Sequence, residues 1–130
     1  MIIAHGIDKR IGICDIETLK ELFDVGIYNP DTKEWQEFEV SAYKNELYHF
    51  VKCYTSREYD YLVTFNGINF DQQVLQYVVD NYEKWYNNTN LEICQIIYDY
   101  AQKVIEDSNY GLFHTYKEKD FSIYPIDIFR

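Results

Sequence analysis

The sequence has few positive charges, few cysteines and no long apolar run. Its 130 residues hold 12 Lys and Arg against 22 Asp and Glu, which gives a formal net charge of -10. This balance argues against a DNA-binding domain that holds its partner by broad electrostatic attraction. An enzyme acting on nucleic acid stays possible, because bound divalent cations reverse the local field of a carboxylate cluster.

The cysteines Cys14, Cys53 and Cys94 are far apart and form neither a CxxC pair nor a Cys/His metal-ligand spacing. The sequence therefore predicts neither a zinc site nor a disulfide framework. No apolar run reaches the roughly 18 residues that a membrane span requires, and the first residues lack the apolar core of a signal peptide. We expect a cytoplasmic protein that makes no contact with a membrane.

Aromatic residues, by contrast, are abundant and reach 18% of the chain, with 14 Tyr and 8 Phe. Such side chains suit strands and hydrated interfaces alike, so the bias favours a sheet. The length is enough for one hydrophobic core, and the chain shows neither an internal repeat nor a low-complexity linker. We expect residues 1–130 to form a single domain that is the N-terminal part of a longer protein.

Hydrophobic periodicity predicts three strands, a helix, a strand, two helices and a last strand. The predicted strands cover residues 10–18, 22–30, 35–43, 59–67 and 124–129. The predicted helices carry three apolar stripes: Leu47, Phe50, Val51 and Tyr54; Val74, Leu75, Val78, Tyr82 and Trp85; and Ile93, Ile97, Ala101, Val104 and Ile105. Turn residues at 29–34 indicate an antiparallel hairpin, and a strand reached through a helix is expected to be parallel to an earlier one. The predicted fold class is α/β, a mixed sheet of about five strands flanked by helices.

Three carboxylates stand at the ends of predicted elements. Asp15 and Glu17 close the first strand, and because they are two residues apart their side chains point to the same face. Asp71 opens the helix that follows the fourth strand, and it reaches the same edge if that strand lies beside the first. Carboxylates of this kind suit Mg²⁺ or Mn²⁺, and two such ions can hydrolyse a phosphodiester. The sequence therefore predicts a metal site made of Asp15, Glu17 and Asp71.

Two short motifs carry a resemblance to a known family. DIET at residues 15–18 resembles the first motif (DxE) of the DEDD 3′-to-5′ exonucleases, and FNGINFD at 65–71 resembles their second motif. The second is most similar to the form in the proofreading domains of family B DNA polymerases. The resemblance spans about residues 10–80 and implies a ribonuclease H-like fold.

The resemblance also implies roles for individual residues. The aspartate matching Asp15 bridges two metal ions, the glutamate matching Glu17 helps to hold the ion on the nucleophile side, and the aspartate matching Asp71 holds the other. It implies Mg²⁺ or Mn²⁺ as cofactor, the 3′ end of single-stranded DNA or another nucleic acid as partner, and a polymerase domain in the same parent chain. Asn66, Asn69 and Phe70 are candidates for contact with the terminal nucleotide.

The chain departs from the family at the third motif. The family needs a fourth aspartate on a helix after the fifth strand, with a Tyr or His four or five residues before it. Tyr116 and Asp120 have the YxxxD spacing but precede the last predicted strand, and His114 has the wrong offset to Asp120. The 130-residue chain is therefore expected to be catalytically incomplete, and the fourth ligand is either Asp120 or a residue after Arg130.

Other interpretations of the same residues stay open. A solvated strand end would also carry Asp15 and Glu17, and Asp71 would also stabilise a helix dipole. Asn66 and Asn69 suit a turn and a helix cap, and Phe65 is expected in the core. For the whole chain, the alternatives to the exonuclease are an inactive ribonuclease H-like module that binds nucleic acid or protein, and an α/β interaction protein in which the motif match is coincidental.

Overall fold

The computed structural model describes residues 2–4, 7–65 and 70–127. Its strands are β1 (Ile2–Ala4), β2 (Ile7–Lys9), β3 (Ile11–Leu19), β4 (Leu22–Asn29), β5 (Glu34–Ser41), β6 (Tyr61–Thr64) and β7 (Tyr124–Asp127). Its α-helices are α1 (Leu47–Thr55), α2 (Gln72–Asn81) and α3 (Asn90–Asn109). Short 3-10 turns follow at Tyr82–Trp85 and Glu118–Asp120. All five predicted strands and all three predicted helices are present, and the hairpin of β1 and β2 was not predicted.

The main sheet has five strands in the order β5-β4-β3-β6-β7. β3, β4 and β5 pair antiparallel, whereas β6 pairs parallel with both β3 and β7. The predicted fold class is therefore confirmed: the chain is α/β, with a mixed sheet in a ribonuclease H-like arrangement. β1 and β2 form a separate antiparallel pair.

The helices form a layer over one face of this sheet, and no helix among the described residues covers the other face. α3 contacts β3, β4 and β5, α1 contacts β5, and α2 packs on α1 and α3. Strand alternation sends one set of side chains into the core beneath the helices: Cys14, Ile16, Phe23, Val25, Ile27, Val40 and Leu62. The alternate residues of the same strands point away from the helices, and we call the surface that they form the open face.

Burial of the helix residues mostly follows the predicted apolar stripes. All four stripe residues of α1 are buried. α3 begins with the predicted capping box, in which Thr89 and Glu92 each accept a backbone N–H. Ile105 was predicted in the stripe of α3 but is 41% exposed, because it lies a full 100° around the helix from its buried neighbour Val104.

No helix in the described ranges is both long and apolar enough to cross a membrane.

Three glutamines on α2 hold the irregular segment that leads to β7. Gln72, Gln73 and Gln76 are all buried, and their amides bond to the segment at residues 116–123. Gln73 makes two of these bonds with the backbone of Tyr116. This segment has little regular structure of its own, so the glutamine amides supply the partners that its backbone groups need.

Candidate functional site

Asp15 and Glu17 lie next to each other on the open face of β3. Their neighbours Cys14 and Ile16 are buried against the helices, whereas both carboxylates are exposed. The alternation of the strand thus places the two carboxylates on one face, where they are accessible to an ion or a ligand.

Pairing between the strands surrounds these two residues with further carboxylates. Glu17 lies opposite Asp24 on β4, and Asp24 lies opposite Glu39 on β5. Two residues along, Asp15 faces Glu37 across the glycine of β4. We call this set the acidic patch: Asp15, Glu17, Asp24, Glu37 and Glu39. In the part of the chain that the structure describes, no Lys or Arg forms an ion pair with any of them.

The crowding of carboxylates perturbs the titration of Asp24. Partial burial is the largest cause, a hydrogen bond with Glu37 is the next, and the charges of Glu37, Glu39 and Glu17 add to them. Together they raise the pKa of Asp24 from 3.8 to about 6. The patch therefore takes up a proton at mildly acidic pH.

This pKa makes the stability of the domain depend on pH. The folded state binds the Asp24 proton more tightly than the unfolded chain does, so the free energy of unfolding rises as the pH falls from about 6 towards 3.8. Above pH 6 the charged carboxylate is destabilising. We expect Asp24→Asn to raise the free energy of unfolding at pH 7 by about 1 kcal/mol, since solvent screens part of the repulsion.

Urea unfolding at pH 4, 5, 6 and 7 in the presence of EDTA measures this effect. The gain from Asp24→Asn should shrink as the pH falls to 4, where the native carboxyl is itself neutral. Asp99→Asn is the matched control, because Asp99 is exposed on α3 and an asparagine oxygen still accepts the bond from Gln95. If Asp24→Asn were no more stable than the native protein at pH 7, the charged Asp24 carboxylate would not be destabilising.

An apolar and aromatic row lies beside the acidic patch on the open face. Directly paired residues on all five strands form it: Ile126, Val63, Ile13, Tyr28 and Trp35. The rings of Tyr28 and Trp35 are in contact, with centroids 5.6 Å apart. Trp35 is also 65% exposed. The open face therefore offers flat apolar surface next to negative charge.

Asp71 lies at the N-terminal end of α2. It forms a π-type turn with Phe70 immediately before Gln72 and is half-buried. Its charge acts on Cys14, a thiol on the buried face of β3: burial raises the pKa of Cys14 well above its usual value, and Asp71 and then Asp15 add to that rise. Asp71 therefore lies close enough to β3 for its charge to act on Cys14.

The predicted metal ligands fit a divalent cation in their chemistry but are not gathered as a set of three. Among the described residues, no group of three or more His, Cys, Asp or Glu side chains could hold a metal ion. Asp15 and Glu17 by themselves match the way in which Mg²⁺ is usually bound, through one or two carboxylates together with water and substrate phosphates. The metal site stays a prediction, and Asp15 and Glu17 are the pair that carries it.

The predicted contacts with a nucleotide fall in and around the second motif. Asn66 and Asn69 lie outside the described residues. Phe70 is half-buried and packs against the core. Phe65 was predicted in the core, but that is wrong, since it is 67% exposed. The reason is strand alternation: Leu62 and Thr64 point inwards, so Phe65 continues the open face, which no described helix covers.

Asp120, one candidate for the fourth ligand, is engaged in its own turn. Its carboxylate accepts the backbone N–H of Lys117 at 2.9 Å, and both residues are exposed. Tyr116, its partner in the YxxxD spacing, is held by Gln73 on α2. The described structure therefore does not bring this pair to the acidic patch.

The three cysteines are all free thiols. Burial raises the pKa of Cys53 to about 12, with help from a hydrogen bond to Glu58. Burial likewise raises the pKa of Cys94. Because the thiolate is the reactive form, these groups are poor nucleophiles.

Comparison of the chain with protein families, with curated proteins and with solved structures finds no match.

Proposed function

We propose that this chain is a metal-dependent nuclease domain of the proofreading type, which removes nucleotides from the 3′ end of single-stranded DNA. One observation carries the proposal. Asp15 and Glu17 lie on β3 two and four residues after Ile13, its last residue paired with β6, and β6 ends at Thr64, just before the second motif in the sequence. β3 and β6 are parallel, so Asp15 lies level with the carboxyl end of β6, and α/β proteins bind their ligands at the carboxyl ends of parallel strands.

The open face supports a role in binding a single strand. Trp35 and Phe65 are both largely exposed on it, and unpaired bases stack on such rings whatever their sequence. The acidic patch lies between β3 and β5 and repels a phosphate backbone. Contact with DNA at this face therefore requires a divalent cation to offset the negative charge.

Asp15 and Glu17 are the residues that would hold such a cation. When bound, it supplies a Lewis acid that polarises the phosphodiester and lowers the pKa of an attacking water. The chain itself contributes the position of the two carboxylates: β4 pairs with β3 from Ile13 to Leu19, and β6 pairs with β3 from Ile11 to Ile13, just before the carboxylates. Pairing with β4 through the whole acidic segment holds Asp15 and Glu17 in register on one face.

The test is a 5′-labelled single-stranded oligonucleotide incubated with Mn²⁺ and with a form of the protein extended past Arg130, because the 130 residues by themselves are expected to lack the fourth metal ligand. We expect products that shorten from the 3′ end, and we expect none from Asp15→Asn. Asp99→Asn, a change of the same charge far from the open face, should cleave like the native protein. In parallel, millimolar Mn²⁺ should raise the melting temperature of the native protein but not that of Asp15→Asn. An unchanged melting temperature together with an intact oligonucleotide would refute the proposal.

A second function is favoured by the arrangement of the carboxylates. Since no three-residue metal group is present among the described residues, the chain would also suit a module that binds single strands without cutting them. This alternative predicts that Mn²⁺ increases binding of the labelled strand to the protein and leaves the length of the strand unchanged. Cleavage that disappears in Asp15→Asn would exclude it.

A further inference from the structure

A cleft lined by aromatic side chains lies in the helical layer, on the other side of the molecule from the acidic patch. Its volume is about 530 Å³, which is within the range of about 300–1,000 Å³ typical of small-molecule sites. We call it the aromatic cleft, and its lining residues are Asn45, Leu47, Tyr48, Tyr82, Glu83, Trp85, Tyr86, Asn88 and Ile93. They come from the start of α1, the 3-10 turn after α2 and the start of α3, and the proposed nuclease role uses none of them.

The rings of the cleft form a floor and two exposed walls. Trp85 is only 5% exposed and packs on Tyr77 beneath the cleft, with ring centroids 5.9 Å apart. Tyr48 is 62% exposed and Tyr86 is 84% exposed. Large aromatic side chains at these exposures bury little of their surface within the chain itself, so much of their ring surface is available to a ligand.

The cleft also has a negative electrostatic bias. Glu83 is its only acidic lining residue, and no Lys, Arg or His is among the nine. Of the nearest lysines along the chain, Lys44 lies 3.5 Å from the carboxylate of Glu46, which offsets its charge, and Lys84 donates at 3.0 Å to the side chain of Asn81, which does not line the cleft. With a net charge of -10 over the whole chain, the surroundings favour a positively charged ligand and oppose a phosphate.

We propose that the aromatic cleft binds an organic cation of the quaternary or alkylated ammonium class. The negative faces of aromatic rings attract such a cation, and its methyl groups fill apolar space that a hydrated metal ion cannot enter. Glu83 at the rim adds a charge of the matching sign. The amides of Asn45 and Asn88 provide donors and acceptors for a polar substituent on the ligand.

Choline and its neutral isostere 3,3-dimethylbutan-1-ol test the proposal, because they share a shape and differ in charge. The chain has two tryptophans, Trp35 and Trp85, so a Trp35→Phe background makes the emission report on the cleft alone. We expect choline to shift the Trp85 emission in a saturable way and the isostere to bind about tenfold more weakly, as a cation–π contribution predicts. Equal affinity for both would show a merely hydrophobic cleft and would overturn the proposal, as would the absence of any saturable shift.

Two substitutions in the Trp35→Phe background separate the contribution of an aromatic wall to choline binding from that of the rim charge. Tyr86→Ala removes an exposed wall and should weaken choline binding about tenfold, and Glu83→Gln should weaken it severalfold with a smaller loss at high salt. Asp99→Asn, outside the cleft, should leave the affinity unchanged. Melting temperatures confirm that each variant is folded. Choline affinity that is the same in Tyr86→Ala as in the background would place the ligand elsewhere and refute the assignment.

Discussion

Replacing Phe50 with alanine is expected to lower the free energy of unfolding by about 3–5 kcal/mol, the usual cost of removing a buried phenylalanine. Phe50 is fully buried on α1, and its ring contacts three others. The centroids of Phe23, Phe38 and Tyr54 lie 6.1, 5.9 and 5.5 Å from it. The substitution leaves a cavity at the junction of α1 with β4 and β5. Since domains of this size are stable by only about 5–15 kcal/mol, the loss would remove much of the total.

Urea unfolding followed by circular dichroism measures this loss, and the same helix provides the control. Tyr48 lies two residues before Phe50 but is 62% exposed. Tyr48→Ala should therefore change the free energy of unfolding by no more than about 0.5 kcal/mol. Similar losses for the two variants would mean that α1 does not pack on the sheet through the face that carries Phe50.

The burial of Phe50 is a part of the fold that the sequence alone predicts. Leu47, Phe50, Val51 and Tyr54 recur at helical spacing, and a stripe of that width has to face a core. The same reasoning predicts the five strands of the main sheet, because each has its own alternation or apolar run. It fails for Phe65, since an apolar residue at a strand end is assigned to a core without knowledge of which sheet face the helices cover.

The candidate site is less predictable, because most of it depends on register. That Asp15 and Glu17 share a face follows from their spacing, but Asp24, Glu37 and Glu39 join them only through pairing across β4 and β5. The two-residue connection at Lys20 and Glu21, which makes Leu19 pair with Leu22, was the signal that could have placed Asp24 beside Glu17. The position of Asp71 depends on how α2 crosses the sheet, which short-range patterns do not encode.

The burial of glutamines is the feature of this fold that sequence patterns predict least well. Glutamine counts as polar in any periodicity, so Gln72, Gln73 and Gln76 are expected on the solvent side of α2. Each of them has a partner more than 40 residues further along the chain, at Tyr116 or in the segment that follows it. Only the tertiary structure shows that this side of α2 faces backbone amides that need hydrogen bonds. The contribution of these bonds to the free energy of unfolding can be tested by substitution.

Gln73→Leu is expected to lower the free energy of unfolding by about 2–3 kcal/mol, although leucine is more apolar and of similar size. Gln73 Nε2 donates to the carbonyl oxygen of Tyr116 at 2.7 Å, and its Oε1 accepts the Tyr116 N–H at 3.1 Å. Leucine can do neither, so a backbone donor and a backbone acceptor lose their partner in a partly buried place. Urea unfolding gives the loss, and amide hydrogen exchange should show faster exchange at Tyr116 and its neighbours, while α1 keeps its protection.

Gln95→Leu is the matched control, because Gln95 is exposed on α3 and bonds only to the side chain of Asp99 among the described partners. Its change in stability should stay within about 0.5 kcal/mol. If Gln73→Leu were as stable as the native protein, the amide would contribute nothing beyond filling space, and the segment before β7 would have to be held by its apolar contacts alone. Faster exchange confined to that segment would instead show that β7 takes its place at the sheet edge because α2 supplies the hydrogen bonds that fix the chain before it.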